Sequence, residues 1–170
     1  MDELIKRLSL YNIVNYFVPG SLFSFLIYKF FSTDFLAVEN TFVSIVMLYV
    51  TGLTINVIGS LTLSRFLRLL SKDYIVPYND FLKAEKLDPK ISLLSAENNS
   101  NRSIMTVFLL LILLKLSSIA LYVGYQDGDA TFLCGCAGFF LVFLGAFLKR
   151  TKFIYSRICF ALDSSISELP

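Results

Sequence analysis

The stretch Ile104–Gln126, IMTVFLLLILLKLSSIALYVGYQ, decides the fold of this chain, because it is apolar almost throughout and carries a single charge, Lys115. About 20 apolar residues in a helix that rises 1.5 Å per residue cross the ~30 Å hydrocarbon core of a bilayer. The stretch therefore predicts a transmembrane helix with an ammonium group near the bilayer midplane. A charge at that depth costs at least about 2.5 kcal/mol, so Lys115 is a candidate functional residue.

Three further stretches are apolar enough to cross a bilayer. They are Tyr11–Phe31, Thr41–Leu63 and the shorter Thr131–Leu148. The composition agrees, since 56% of the residues are hydrophobic and 16% are charged, against about 45–50% and ~25% in a soluble domain. The sequence predicts an all-α membrane protein with four transmembrane helices.

The charges predict the orientation of these helices. All but two of the 15 Lys and Arg residues precede the first span, lie between the second and third spans, or follow the fourth. The exceptions are Lys29 and Lys115. The other two connections carry only acidic charges, at Asp34, Glu39, Asp127 and Asp129. By the positive-inside rule, both termini and the central segment are cytoplasmic, and we expect a multi-pass membrane protein with both termini inside.

Four regions follow from this topology. Residues 1–63 hold an interfacial N-terminus and the first two spans, residues 64–103 a cytoplasmic helical segment, residues 104–148 the last two spans, and residues 149–170 an amphipathic tail. The tail has apolar residues at helical spacing, Ile154, Ile158, Ala161 and Leu162, which predict an interfacial helix.

The cytoplasmic segment reads as short helices separated by turns. Asp88-Pro89 ends one helix, because the residue before a proline avoids the helical region, and Ser103 is a plausible N-cap for the third span. Its apolar residues pack on the protein's own helix ends or on lipid headgroups, or they form a docking surface for a cytoplasmic partner. The candidate contact residues for a partner or for lipid are Arg65, Arg68, Lys72, Phe81, Lys83, Lys86 and Lys90.

Small residues mark candidate packing faces within the spans, because they let helix backbones approach closely. Gly52, Asn56 and Gly59 share a face of the second span. On the fourth span the stripe consists of Cys134, Gly138 and Gly145. Each face packs within the chain or between copies.

Asn15 and Pro19 form a second polar feature, in the first span. Pro19 cannot donate a hydrogen bond to the carbonyl of Asn15, so that carbonyl is freed and the helix is expected to kink. A freed carbonyl inside a bilayer needs a partner.

Lys115 also needs a partner, and none of the acidic residues in the connections is expected at its depth. It lies too far from the start of its span to reach the cytoplasmic surface by extending its side chain. Either it is buried among polar groups such as Ser117, Asn56 or the Asn15 carbonyl, or it faces a water-filled cavity or an oligomer axis.

Several classes of function are not expected. The chain has no His, which removes the commonest general base and metal ligand, and its three scattered Cys residues do not make a metal site. We predict no catalytic residues, no cofactor and no enzymatic activity. Direct nucleic-acid binding is not expected either, since the basic residues lack an Arg-rich helix or an aromatic platform.

The chain resembles the small four-span bacterial membrane proteins of anti-phage defence systems, most nearly the membrane subunits of the Kiwa system. The resemblance rests on Tyr11-Asn12-Ile13 with Tyr16 and Pro19-Gly20, on Tyr78, Phe81, Ala84 and Asp88-Pro89-Lys90-Ile91, and on Asn99 to Ser103. It implies an oligomeric inner-membrane component that responds to phage infection and works with a cytoplasmic effector protein.

Two functions therefore remain. The chain is either a membrane sensor and scaffold that docks a soluble effector on its basic cytoplasmic segment, or an oligomeric channel or membrane-permeabilising effector lined by Lys115. In both cases we expect it to contact membrane lipids and to form a homo-oligomer.

Overall fold

Long helices make up the described chain. A computed structural model describes residues 12–31, 40–123 and 128–167, and in these ranges it contains no β-strand. A π-helical turn, Ile13–Phe17, leads into α1, and a 3-10 turn, Lys72–Tyr74, follows α2. A second π-helical turn, Ile119–Val123, follows α4. The helices are α1 Val18–Phe31, α2 Thr41–Leu70, α3 Tyr78–Leu87, α4 Lys90–Ser118 and α5 Asp129–Ser167.

Four of the helical segments are long and apolar enough to cross a membrane, as the sequence predicts. They contain α1 with its preceding turn, α2, α4 and α5. The prediction of an all-helical membrane protein with four candidate spans is therefore confirmed for the described residues. The predicted interfacial N-terminus lies outside them.

Three of these helices are much longer than a bilayer requires. At 1.5 Å per residue, α2 is about 45 Å long, α4 about 44 Å and α5 about 58 Å, against a ~30 Å hydrocarbon core. Each of them therefore extends beyond the length that a bilayer requires, and each extension contains basic residues.

The predicted break before the third span does not occur. α4 runs without interruption through Asn98–Ser103, and Ser103 is a buried residue inside the helix, not an N-cap. Its hydroxyl donates to the Asn99 carbonyl, 3.2 Å away. The polar residues remain helical because they bond to neighbouring helices, as in the hydrogen bond from Asn98 Nδ2 to Thr151 Oγ1 of 2.9 Å. Tertiary contacts thus override a local turn signal.

The tail also differs from the prediction. Residues 149–167 continue the fourth span as one helix, α5. The stripe that predicts an interfacial helix packs on protein instead: Ile154, Ile158 and Ala161 are buried against Ala84 of α3 and Ile91 of α4. We call α3, residues 90–103 of α4 and residues 149–167 of α5 the basic-end bundle.

Within the apolar part, α1 and the turn before it lie directly on α2. A Cβ atom added at Gly52 would overlap the carbonyl oxygen of Tyr16, and one added at Gly20 would overlap the carbonyl oxygen of Leu48. Farther along α2, a Cβ atom at Gly59 would overlap the Thr106 hydroxyl of α4. Small residues therefore set how closely α2 approaches both neighbours.

Replacing Gly52 by Ala should destabilise the protein, because the new methyl group would need the α1 and α2 backbones to separate. Overpacking of this kind costs about 1–3 kcal/mol. The matched control is Gly135→Ala on α5, where an added Cβ meets no atom within 4 Å. In thermal unfolding in detergent, the midpoint of Gly52→Ala should be lower than that of wild type, and the midpoint of the control should be unchanged. Equal midpoints for the two variants would contradict this close approach.

Candidate functional site

Lys115 forms a buried ion pair. It lies in the last turn of α4, and its Nζ is 2.7 Å from Oδ1 of Asp129, the first residue of α5. The side chain of Lys115 is 19% exposed and that of Asp129 is 7% exposed. Because the pair is shielded from solvent, each charge depends on the other for compensation.

The expectation that no acidic residue of the connections lies at the depth of Lys115 is wrong. Asp129 is the first residue of a helix, not part of a loop, and its carboxylate is level with the ammonium group. Gly128 precedes it with φ +101°, a conformation that favours glycine. The ion pair thus brings Lys115 beside the first turn of α5.

Aromatic rings surround this pair. The Nζ atom of Lys115 lies 5.8 Å from the ring centroid of Phe31, at the end of α1. The ring of Phe132 in α5 is 4.6 Å from that of Phe30 and 6.1 Å from that of Phe31, centroid to centroid. Three helices, α1, α4 and α5, therefore meet at the ion pair.

Asn56 belongs to a different polar cluster. Its Oδ1 accepts hydrogen bonds from Nη2 of Arg102 at 2.9 Å and from the hydroxyl of Ser103 at 3.2 Å. Nη1 of Arg102 donates to the Ser64 hydroxyl, 3.4 Å away. Sequence reasoning assigns Arg102 to the cytoplasmic segment and misses this role. A usable signal is the eight-residue spacing of Asn56 and Ser64, which puts both on one face of α2.

Asn15 and Pro19 are buried. Asn15 is in the π-helical turn, where the Val18 amide donates to the Ile13 carbonyl. Pro19 follows that turn inside the continuous helical segment Ile13–Phe31, so its missing donor falls where the π-helical hydrogen bonds give way to those of α1. The four predicted intramembrane residues, Lys115, Asn56, Asn15 and Pro19, are thus distributed over three separate places.

The predicted packing stripe on α5 faces away from the rest of the described chain. Cys134 is exposed, and no atom lies within 4 Å of a Cβ added at Gly138 or Gly145. By contrast, Gly52 and Gly59 on α2 are packed inside the protein.

Two ion pairs hold the basic-end bundle together. Arg157 of α5 donates to Asp88, which lies between α3 and α4, and Arg150 of α5 lies 2.7 Å from Glu97 of α4. Asp88 Oδ1 also accepts from the Lys90 amide at 3.0 Å, at the start of α4. The hydrogen bond from Arg157, and then that from Lys90, hold the pKa of Asp88 below its ordinary value of 3.8, against partial burial, which raises it.

The candidate contact residues fall into separate groups. Phe81 is half-buried and packs against the apolar core of the basic-end bundle. Lys83 makes an exposed ion pair with Asp80 of 3.5 Å, one turn away on α3. The remaining residues are exposed: Arg65, Arg68, Lys72, Lys86 and Lys90.

The chain gives no match to protein-family models, to curated proteins or to solved structures. Among the described residues, no group of three or more His, Cys, Asp or Glu side chains could hold a metal ion. The functional argument therefore depends on the geometry of the ion pairs and on the exposed surfaces.

Removing one partner of the Lys115–Asp129 pair should be costly. Lys115→Met or Asp129→Asn leaves a buried charge without its counter-charge, which typically costs about 3–5 kcal/mol. The double variant removes both charges and should recover more than half of the lost stability. Thermal unfolding in detergent measures all three.

Lys29→Met is the control for this comparison, since Lys29 is exposed in the last turn of α1. It should leave the unfolding midpoint nearly unchanged. A double variant no more stable than the worse single variant would show that the two charges do not compensate each other.

The Asp88–Arg157 pair should make stability depend on pH. The pKa of Asp88 is lower in the folded protein than its ordinary value of 3.8, so its stabilising contribution is complete above that value. The contribution is lost as pH falls through the lowered pKa. Asp88→Asn should therefore reduce the unfolding midpoint at pH 6, with a difference from wild type that shrinks below about pH 4.

The comparison is Asp163→Asn, which removes an exposed carboxylate from the part of α5 that belongs to the basic-end bundle. It should show a small difference from wild type at pH 6. A difference for Asp88→Asn that stays constant down to pH 2 would mean that the carboxylate charge is not what stabilises the bundle.

Proposed function

We propose that this chain is an oligomeric sensor and scaffold of a bacterial inner membrane, which couples a membrane event to a cytoplasmic effector protein. The observation that carries the proposal is the continuity of α4 and α5. Both run without interruption from the Lys115–Asp129 pair to the basic-end bundle. A displacement at one end of such a helix pair moves the other end as well.

The orientation follows from the charges. The basic-end bundle contains most of the Lys and Arg residues of the described chain, and the opposite end contains the acidic residue Asp129. The positive-inside rule then puts the bundle in the cytoplasm and the Lys115–Asp129 pair toward the outer face. A stimulus from outside would reach the ion pair first.

The lengths of α4 and α5 suit a mechanical role between the two ends of the molecule. From Lys115 to Lys90 the axis of α4 extends about 38 Å, and from Asp129 to Arg157 that of α5 extends about 42 Å. The two helices are joined by one ion pair at Lys115 and Asp129 and by another at Glu97 and Arg150 in the basic-end bundle. Coupling between distant sites is carried by rigid helices and by networks of ion pairs such as these.

A candidate docking surface lies on α3 and the turn before it. Tyr78 is 72% exposed, and Ile75 and Leu82 on the same side are exposed as well. Lys83 and Lys86 stand next to them. Large exposed apolar side chains beside charged ones are typical of interaction sites in water-facing regions, so an effector with an acidic rim and apolar centre fits best.

On the basis of the resemblance to anti-phage membrane subunits, we propose that the stimulus is phage infection. The unoccupied face of α5 at Gly138 and Gly145 supports assembly into a homo-oligomer, because small residues allow close helix approach in lipid. The alternative of a pore lined by Lys115 is less well supported, since Asp129 neutralises that charge.

Charge reversal on α3 and at the first residue of α4 tests the scaffold. In the variant Lys83→Glu, Lys86→Glu, Lys90→Glu, a cytoplasmic effector should no longer co-purify, because the surface that attracts it has changed sign. The measurement is purification in mild detergent from the native host, with the mass and composition of the complex read by native mass spectrometry. Wild type should carry a soluble partner at fixed stoichiometry.

Lys115→Leu is the second arm of this experiment. A scaffold should retain its partner in this variant, provided that it accumulates, whereas a pore lined by Lys115 should change its ion conductance in planar bilayers. Two results together would favour the pore over the scaffold. The wild type would purify as a homo-oligomer without a soluble partner, and Lys115→Leu would alter its conductance.

A further inference from the structure

The last turns of α2 extend beyond what a bilayer requires. Twenty residues from Thr41 reach about residue 61, so Leu61–Leu70 form a surplus of about 15 Å. One side of this extension is packed, since Leu63 and Leu67 are buried against Met105 of α4 and apolar residues of α5. The other side is unoccupied in the described chain.

The free side of this extension carries large apolar side chains. Leu61 is 71% exposed and Leu69 is 74% exposed, and Phe66 and Leu70 are about half exposed. Such a face is costly in water, because exposed aliphatic side chains forgo the free energy of burial. The face therefore requires an apolar cover.

The same side carries three cations. Arg65, Arg68 and Lys72 follow one another at helical spacing and are exposed. None of them forms an ion pair within residues 12–31, 40–123 and 128–167. Arg150 and Arg157 of the basic-end bundle differ in this respect, because each has an acidic partner inside the protein.

Interleaved cations and apolar side chains determine the chemistry of the occupant. A guanidinium group binds phosphate oxygens through two parallel hydrogen bonds, which accounts for Arg65 and Arg68. A free phosphate would leave Phe66 and Leu69 uncovered. A phospholipid satisfies both requirements at once, since its headgroup is anionic and its acyl chains are apolar.

We propose that the exposed face of Leu61–Lys72 is a binding site for anionic phospholipids. The phosphate contacts Arg65, Arg68 and Lys72, while Leu61, Phe66 and Leu69 lie against the acyl chains. The site is separate from the effector surface on α3. It rests on the proposed orientation only in assigning the lipid to the inner leaflet, since binding itself can be measured in detergent without any orientation.

The test titrates dioleoylphosphatidylglycerol into the full-length protein in detergent and follows thermal unfolding, with bound lipid counted by native mass spectrometry. In Arg65→Gln, Arg68→Gln, Lys72→Gln, the lipid affinity should fall on the order of a hundredfold, which corresponds to about a fivefold loss for each cation near a lipid surface. The unfolding midpoint without lipid should remain that of wild type.

The matched control removes two cations of α3 and the one at the start of α4 instead: Lys83→Gln, Lys86→Gln, Lys90→Gln. It should bind the lipid nearly as well as wild type, although it is expected to lose the effector. Loss of the effector and loss of the lipid are thus separate outcomes, and failure of one proposal leaves the other standing.

Three results would overturn the lipid site. Equal stabilisation by dioleoylphosphatidylcholine would show that the negative headgroup is not recognised. Equal stabilisation by inorganic phosphate would show a simple anion site. An equal loss of affinity in the α2 variant and the α3 control would show that total charge, and not this face, attracts the lipid.

Discussion

The lengthwise packing of α4 against α5 is the contact on which the rest of the structure depends. It is the most extensive helix–helix contact in the described chain, and polar interactions fix it at three heights. Lys115 and Asp129 join one end, Asn98 and Thr151 join the two helices in the basic-end bundle, and Arg157 binds Asp88 two residues before α4 begins. Because these contacts lie along two uninterrupted helices or directly before α4, they set the register of both halves at once.

The two halves of the molecule are stabilised by different forces. Between helices in lipid there is no hydrophobic driving force, so close backbone approach and polar contacts take its place. Gly20 against α2 and Gly59 against Thr106 are contacts of this kind. The basic-end bundle instead buries apolar side chains such as Ile91 and Ile158, as a soluble helical domain does.

The sequence predicts the spans well because the bilayer imposes a single requirement, a long apolar helix. It fails where the outcome depends on how helices lie relative to one another. Asn98–Ser103 reads as a turn, but bonds from Asn98 and Ser103 to neighbouring helices keep it helical. Asp129 reads as a loop residue, because the offset that brings it level with Lys115 is set by the packing of α4 on α5 and leaves no local signal.

The structure divides the basic residues into two groups, those bound inside the protein and those exposed on its surface, which the composition alone does not distinguish. The positive-inside rule treats them as one set, yet Arg102, Arg150 and Arg157 are bound inside the protein, to Asn56, Glu97 and Asp88. These side chains hold helices together and are not free to attract a partner. In the proposed arrangement, exposed cations on α2 attract lipid and those on α3 attract the effector, and because they stand on different helices, one protein can bind both at once.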